Sequence, residues 1–438
     1  LKILVLSHYW HPQNGIPQRR WQWLTSVLRE AGHEVDVIAP PRKFRRNMGF
    51  AKWIGSLREL SSPLGVGEEG ESGEQIIRTV ALPSTSSLTT RVVSQVSVAV
   101  GQLCIALLRC RKGSSVRPDV IVATVPALPT AVVACIVGRL LKVPYVIDLR
   151  DAWPDLLQES ARWNESLGAH SWRQKVLSKG PLQLVKAMTK VGLDFALLQA
   201  NGVVATSSWL RNDLAKKKEV NGRNAEPCLA TVRNVFPREI DFVKSAKSLR
   251  DSSELNVLYA GTIGRAQDLE NVLQAAKIAK EQGVKINLRF IGAGDGKKRL
   301  IERAQQLGVE ARFEKQRSVD EMLEPYLWAD TALVHLANWE PLERTVPSKT
   351  YELMEAKIHI SAVVKGETAE IVESVGAGDV VAPDSPAELV ALWRKLIENP
   401  HELKPAESAS AWVSKERNEV AEANFLGLLE GVLSGDES

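Results

Sequence analysis

The chain has 438 residues, 44% of them hydrophobic, 25% charged and 6% aromatic, which excludes collagenous, mucin-like and wholly disordered polymers. The length accommodates two or three domains with cores of their own. A net charge of +4 conceals a division: residues 1–236 carry 31 Lys/Arg against 18 Asp/Glu, and the remainder 25 against 34. A basic half suits nucleic acid, an anionic membrane surface or a phosphorylated substrate. The four cysteines (Cys104, Cys110, Cys135, Cys228) form no CxxC pair, so a reducing compartment is expected in place of a disulfide or zinc scaffold.

Residues 1–6 are too short an apolar run for a signal peptide and read as a first buried strand. A Pro- and Gly-containing loop follows, then helical spacing over 18–31 (Trp21, Leu24, Val27, Leu28), a stop at Gly32 and a second strand over 34–39. Strands are predicted at 120–123, 145–149 and 202–205, in the rhythm of a parallel doubly wound sheet. The pattern restarts with a strand at 255–260, a turn at Gly261–Gly264 and a helix over 269–279, then strands at 287–291, 331–334 and 359–363. The reading is α/β: two Rossmann-like domains, 1–236 and 255–404, joined by a polar linker at 237–254, with a helical return near 405–435.

Three segments interrupt this rhythm. Residues 42–74 begin with Arg42, Lys43, Arg45 and Arg46 and continue rich in Gly, Ser and Glu, as a mobile insertion would. Residues 91–110 are apolar enough to resemble a membrane span, yet a strand and its helix follow at once, so a helix packed on a sheet is expected. Residues 163–198 mix Trp172, Lys175, Lys179, Lys186 and Lys190 with Leu and Val, which fits either a membrane-surface helix or a solvated helix face.

Several loops offer chemistry. Gly292-Ala-Gly-Asp-Gly296 resembles a dinucleotide fingerprint, but such a fingerprint belongs after the first strand of a domain and this one follows the second. Gly15 and the Gly261–Gly264 turn each follow a first strand and would offer free backbone N–H groups to an anion at a helix start. The segment 346–356 adds Lys349 for a phosphate and Glu352 for a pair of ribose hydroxyls. Pro347 would start its helix, leaving the amides near Ser348 and Thr350 for an anion. In isolation, a plain capped helix with a solvent Lys–Glu pair is the better account of that segment.

Taken together, these motifs resemble the retaining, nucleotide-sugar-dependent glycosyltransferases of family 4, which have the GT-B fold, and within them the bacterial O-antigen and colanic-acid branch. The resemblance is carried by the 9–15 loop (Tyr-Trp-His-Pro-Gln-Asn-Gly), by 148–154 (Asp-Leu-Arg-Asp-Ala-Trp-Pro) and by 205–210 (Ala-Thr-Ser-Ser-Trp-Leu). It continues through Arg233-Asn234, 259–269, the Gly292–Gly296 loop and the Pro347–Glu352 segment, in order along nearly the whole chain. The resemblance implies two domains facing a cleft, with the donor held mainly by the C-terminal one.

On that resemblance Glu352 matches the second glutamate of the family's E-x7-E motif, the one that holds the ribose. Eight residues earlier stands Arg344 where the first glutamate belongs; Glu340 and Glu343 lie nearby at other spacings. The family's diphosphate-binding Arg and Lys positions are Thr262 and Asp268 here, so Arg265 and Lys349 are taken as substitutes for that charge. Arg150 and Asp151 fall where many relatives carry His-Asp. The expected catalytic set is Arg150, Asp151 and Glu343. The expected donor-binding set is Gly15, Gly261, Thr262, Gly264, Arg265, Ser348, Lys349, Thr350 and Glu352.

The implied activity is sugar transfer from a nucleotide diphosphate sugar, UDP-linked in preference to GDP-linked, to a cell-envelope glycan on a lipid diphosphate. No metal, cofactor or nucleic acid is expected, and the enzyme would be cytoplasmic, peripheral on an anionic inner membrane face. A UDP-sugar epimerase of the same fold and a non-catalytic nucleotide-sugar-binding subunit remain alternatives.

Overall fold

The computed structural model describes residues 1–12, 15–42, 44, 50–84, 88–125, 127–153, 155, 181–220, 228–237, 253–318 and 320–434. Lys43, Arg45, Arg46, Asn14, Trp172, Lys175, Lys179 and nearly all of the expected linker lie outside these residues. Two compact units are present: Leu1–Thr206 with Leu210–Val232 and Ala421–Ser438, and Ser207–Trp209 with Arg233–Val420.

Unit 1 is built on an eight-stranded sheet in the order β3-β4-β2-β1-β5-β6-β7-β8. Its strands are β1 (Lys2–Leu6), β2 (Glu34–Ala39), β3 (Glu68–Glu69), β4 (Gln75–Arg78), β5 (Val120–Val125), β6 (Tyr145–Leu149), β7 (Gly202–Ala205) and β8 (Cys228–Thr231). All neighbours are parallel except β3 with β4. β5, β6 and β7 are buried at every position, as a sheet with both faces covered requires. The chain order reverses between β1 and β5, and at such a switch point the strand ends splay into a ligand-sized crevice.

Helices α1 (Ile16–Glu30), α2 (Phe50–Ser56), α3 (Leu88–Arg109), α4 (Leu128–Leu141), α5 (Pro181–Gln199), α6 (Ser208–Val220) and α14 (Glu422–Ser434) complete the elements described in this half of the chain and its return. The apolar helix α3 packs against α4 and β2, with Val98, Ala99, Ile105 and Ala106 in the core. The stretch expected to be a mobile insertion is tied down where it is described: Glu68 accepts hydrogen bonds from Arg42 at 2.9 Å and Arg78 at 2.7 Å. Composition suggested mobility there; the pairing partner Arg78 lies beyond the segment and was not visible in it.

α1 carries a cation into the core. Arg20 is fully buried, and its Nη2 and Nε donate to the Asp148 carboxylate at 2.8 and 3.2 Å, while Nη1 reaches the Val232 carbonyl at 2.9 Å. Trp21 Nε1 adds a bond to Asp148 at 2.9 Å. Asp148 stands inside the apolar β6 and is itself fully buried.

Unit 2 has a six-stranded parallel sheet, β11-β10-β9-β12-β13-β14. Its strands are β9 (Glu254–Ala260), β10 (Lys285–Ile291), β11 (Ala311–Glu314), β12 (Thr331–His335), β13 (His359–Val363) and β14 (Gly378–Val381). Its helices are α7 (Glu270–Glu281), α8 (Lys297–Leu307), α9 (Leu323–Trp328), α10 (Ser348–Glu355), α11 (Glu367–Ser374), α12 (Pro386–Glu398) and α13 (Glu407–Lys415). Chain order reverses between β9 and β12. Of the C-terminal stretch, α13 belongs to unit 2 and α14 to unit 1, with a π-helical turn, Glu416–Ala421, between them.

Replacing one member of a buried ion pair strands the other. Asp148→Asn should therefore destabilise the chain by about 3 kcal/mol, read as a lower denaturant midpoint with an unchanged slope.

Candidate functional site

In unit 2 the loops after β9 and β10 interlock. Ile263 N–H donates to the Ala293 carbonyl at 2.9 Å, and Gly296 N–H donates to the Ile263 carbonyl at 3.0 Å. There is no room for side chains: a Cβ on Gly292 would lie 1.9 Å from the Gly261 oxygen, and one on Gly294 2.1 Å from the Ile263 oxygen. Gly294 has φ +157°, a region that disfavours other residues. The fingerprint-like glycines thus serve backbone packing between two loops.

That packing corrects one expectation. Gly261 N–H is bound to the Ile291 carbonyl and Ile263 N–H to Ala293, so the turn does not present a run of free amides. Nor does it open directly onto a long helix. A short 3₁₀ turn, Arg265–Gln267, comes first and ends at Asp268 in the left-handed region at φ 39°. Burial, with Asp384 and Glu270 close by, pushes the Asp268 carboxyl above its usual range. Tyr259 OH donates to the Thr262 carbonyl at 2.5 Å, and Ala337 N–H reaches the Ala266 carbonyl at 2.8 Å, joining this loop to the one after β12.

At the N-terminus of α10, Lys349 Nζ lies 2.8 Å from Glu352 Oε2 and 3.2 Å from Tyr326 OH. Tyr326 OH also donates to Glu352 Oε1. The Lys–Glu pair is real, half-buried and locked by a phenol from α9. Pro347 is the N-cap of α10, one position before the helix it was expected to start. Thr350 is fully buried, and its N–H is committed to the Pro347 carbonyl at 2.9 Å. Ser348 stays half-buried at the first helical position.

Glu343 lies in the 3₁₀ turn Glu340–Arg344 and lines a small cavity with Leu336, Trp339, Lys365 and Pro383. Arg344, at the position of the missing glutamate, is 3.8 Å from Glu340. Gly366, at φ +69°, passes so close that a Cβ would meet the Glu343 carbonyl oxygen at 2.2 Å. Lys365 Nζ holds Asn338 Oδ1 at 3.0 Å. His335, at the end of β12, is fully buried and bonded to Asn271 at 3.0 Å, and burial pushes its imidazole down to about 4.

In unit 1, Gly15 is the N-cap of α1 with an extended φ of −162°; a Cβ there would meet the end of the Gln18 side chain at 2.7 Å and Pro17 Cδ at 3.6 Å. Arg150 and Asp151 follow β6, and His8 and Tyr9 follow β1. Thr206 Oγ1 donates to the Arg150 carbonyl at 2.7 Å.

Lys349 and Glu352 touch, and with Arg265 and Glu343 they stand on loops or helix starts at the C-terminal edge of the unit 2 sheet. Sequence reasoning missed Tyr326, Lys365 and Glu367. The Glu367 carboxylate, which its partners hold below the usual range, accepts hydrogen bonds from Ser208 N–H at 2.9 Å, Trp209 N–H at 2.7 Å and the Arg233 guanidinium. An acid directly after the glycine of Lys365-Gly-Glu367 was the available signal; for Tyr326 there was none.

Residues 17–225 match the family model described as glycosyl transferase 4-like domain, and residues 242–418 match glycosyl transferases group 1. The chain belongs to the GT4-type glycosyltransferases. It is 25% identical over 438 residues to the putative colanic acid biosynthesis glycosyl transferase WcaI of Escherichia coli strain K12, covering 95% of this chain and 97% of that protein. Among solved structures it resembles a sucrose-phosphate synthase from Thermosynechococcus elongatus (TM-score 0.66, 14% identity) and Anabaena HepE in complex with UDP and glucose (TM-score 0.60, 16% identity). Each of these likenesses covers 99% of both chains. The fold is GT-B. This glycosyltransferase is related to colanic acid biosynthesis enzymes.

The interlocked loops give a test of the glycine reading. Gly294→Ala should destabilise by about 1–3 kcal/mol through backbone strain, seen as a lowered thermal midpoint, whereas Gly283→Ala, at φ +72° with nothing within 4 Å, should cost less.

Proposed function

We propose that this glycosyltransferase transfers a sugar, with retention of anomeric configuration, from a UDP-sugar to a lipid-linked cell-envelope glycan. The observation that carries the donor assignment is the Lys349–Glu352–Tyr326 cluster at the start of α10, beside the β9/β12 switch point. Support for the uracil nucleotide comes from HepE, a structural neighbour solved with UDP and glucose.

In this reading Glu352 accepts hydrogen bonds from the ribose hydroxyls, and Tyr326 holds its carboxylate in place. Lys349 turns toward the diphosphate, joined by Arg265. The bond between the anomeric carbon and the diphosphate oxygen breaks, and its electron pair leaves with UDP. The acceptor oxygen bonds to the same face of that carbon, and its proton passes to a diphosphate oxygen. Fixed cations and dipoles stabilise the charge gathering on the leaving group, so the proposal needs no divalent metal or other cofactor. Glu343 and Lys365 border a cavity at the ends of β12 and β13 and are assigned to the donor sugar. Ser348, Thr262, Gly261 and Gly264 shape the diphosphate seat through their backbone. Thr350, facing the core, supports it from behind. Gly15, Arg150 and Asp151 are assigned to unit 1's share of the substrates.

A lipid-linked acceptor is supported by the outer face of α3. Val93, Val96, Val100 and Leu108 are 42–54% exposed and, with the exposed Cys104, follow one another at helical spacing. Leu140 of α4, the helix packed on α3, and Val191 of α5, the helix packed on α4, are also exposed. Neither α3 nor α4 contains an acidic residue, while Arg111, Lys112, Arg139 and Lys142 lie exposed at their ends. Apolar area plus cations is the chemistry of an anionic lipid surface, and a cytoplasmic membrane face is the proposed location.

Glu352→Ala should weaken UDP-sugar binding by about 1–3 kcal/mol, and Lys349→Ala should cost more for UDP than for uridine in the same calorimetric assay. Equal losses for UDP and uridine would remove Lys349 from the phosphate seat. Separately, the chain should sediment with vesicles containing phosphatidylglycerol and not with pure phosphatidylcholine; Val96→Asp with Val100→Asp should reduce that binding at least severalfold.

A further inference from the structure

Arg150 presents a physical anomaly. Its side chain is more than nine-tenths buried, yet Nε and Nη1 meet no hydrogen-bond acceptor among the described residues. Arginine cannot shed its charge in a protein, and a buried charge without a partner is strongly unfavourable. The nearest anions do not resolve this. Asp148 is engaged by Arg20 and Trp21. Asp151 attracts Arg150 electrostatically, but desolvation pushes its own carboxyl above the usual range.

The surroundings are suited to an anion. Arg150 follows β6, and His8 and Tyr9 follow β1, all at the C-terminal edge of the unit 1 sheet near the β1/β5 switch point. The Tyr9 phenol lies within electrostatic reach of both Arg150 and Arg91 and pairs with Gln95. His8 packs edge-on to Tyr9 at 4.8 Å between ring centres, is buried, and has an Nδ1 that meets no partner among the described residues. Thr206 fixes the Arg150 backbone.

We propose that Arg150 is the receptor for a phosphoryl group carried by the acceptor. Nε and Nη1 lie on different edges of the planar guanidinium. One carboxylate pairs with a single edge, whereas a phosphate or diphosphate offers enough oxygens to meet both. The positive end of Arg91 would add long-range attraction, and the orphan nitrogen of His8 a further polar contact. The inference rests on the glycosyl-transfer reading and gives the phosphoryl group of its acceptor a named receptor residue.

The test uses the full chain saturated with UDP, titrated calorimetrically with inorganic pyrophosphate. The expected result is a further binding event that Arg150→Gln weakens at least tenfold and Arg150→Lys weakens less, with UDP affinity unchanged in both. The Arg150→Gln chain should also melt no lower than the parent, because a buried unmet charge has been removed; Arg150→Lys preserves the comparison should the Gln variant misfold. Absence of pyrophosphate binding, equal binding by parent and variants, or a loss confined to UDP would each overturn the proposal. Failure of the chain to bind UDP would instead count against the donor reading, and the comparison of parent with Arg150→Gln would still report on Arg150.

Discussion

Ile263 supplies both the N–H and the carbonyl that hold the two glycine loops of unit 2 together. Because its amide and carbonyl are satisfied by residues 293 and 296, the turn after β9 has one conformation rather than many. Arg265 follows that turn directly, and Ala266 accepts the amide of Ala337 from the loop after β12. Side-chain-free glycines are the condition for so close an approach of two backbones. The site's geometry is therefore set by main-chain contacts, and its chemistry by the few side chains mounted on them.

Both units bury cations, and each solves the resulting problem differently. In unit 1, Arg20 and Asp148 neutralise one another with a tryptophan N–H in support. In unit 2, Arg233 sits between two carboxylates, Glu367 and Glu416 at 3.2 Å, and lies 5.7 Å from the centre of the Trp412 ring. Glu367 is held below the usual carboxylate range, whereas burial pushes Glu416 above it. Arg150 is the exception, since neither arrangement is available to it.

Strands with strong apolar runs were legible in the sequence: β1, β2, β6, β7 and β13 fall where hydrophobic pattern and flanking turns predict them. The short strands β3, β4, β8, β11 and β14 were not: β3 has two residues, and β8, β11 and β14 are mostly half-exposed and lack the unbroken apolar run that marked the equally short β7. The Lys349–Glu352 pair was readable from helical spacing, since residues three apart face the same way. Its third member was not, because Tyr326 lies 23 positions away from Lys349 and meets it only through the packing of α9. The glycines of 292–296 invited a ligand explanation because sequence shows that a side chain is missing and not what occupies its place. Asp148 entered the sequence analysis only as part of the 148–154 motif, and nothing in that motif points to Arg20, which lies 128 positions away.

The pairing of Arg20 with Asp148 has a consequence for how the chain is made. The two residues are 128 positions apart, and translation at about 5–20 residues per second separates their emergence by roughly ten seconds. Throughout that interval the Arg20 guanidinium on α1 has no Asp148 to meet and keeps its hydration. The native burial of α1 is therefore completed only once β6 has been made.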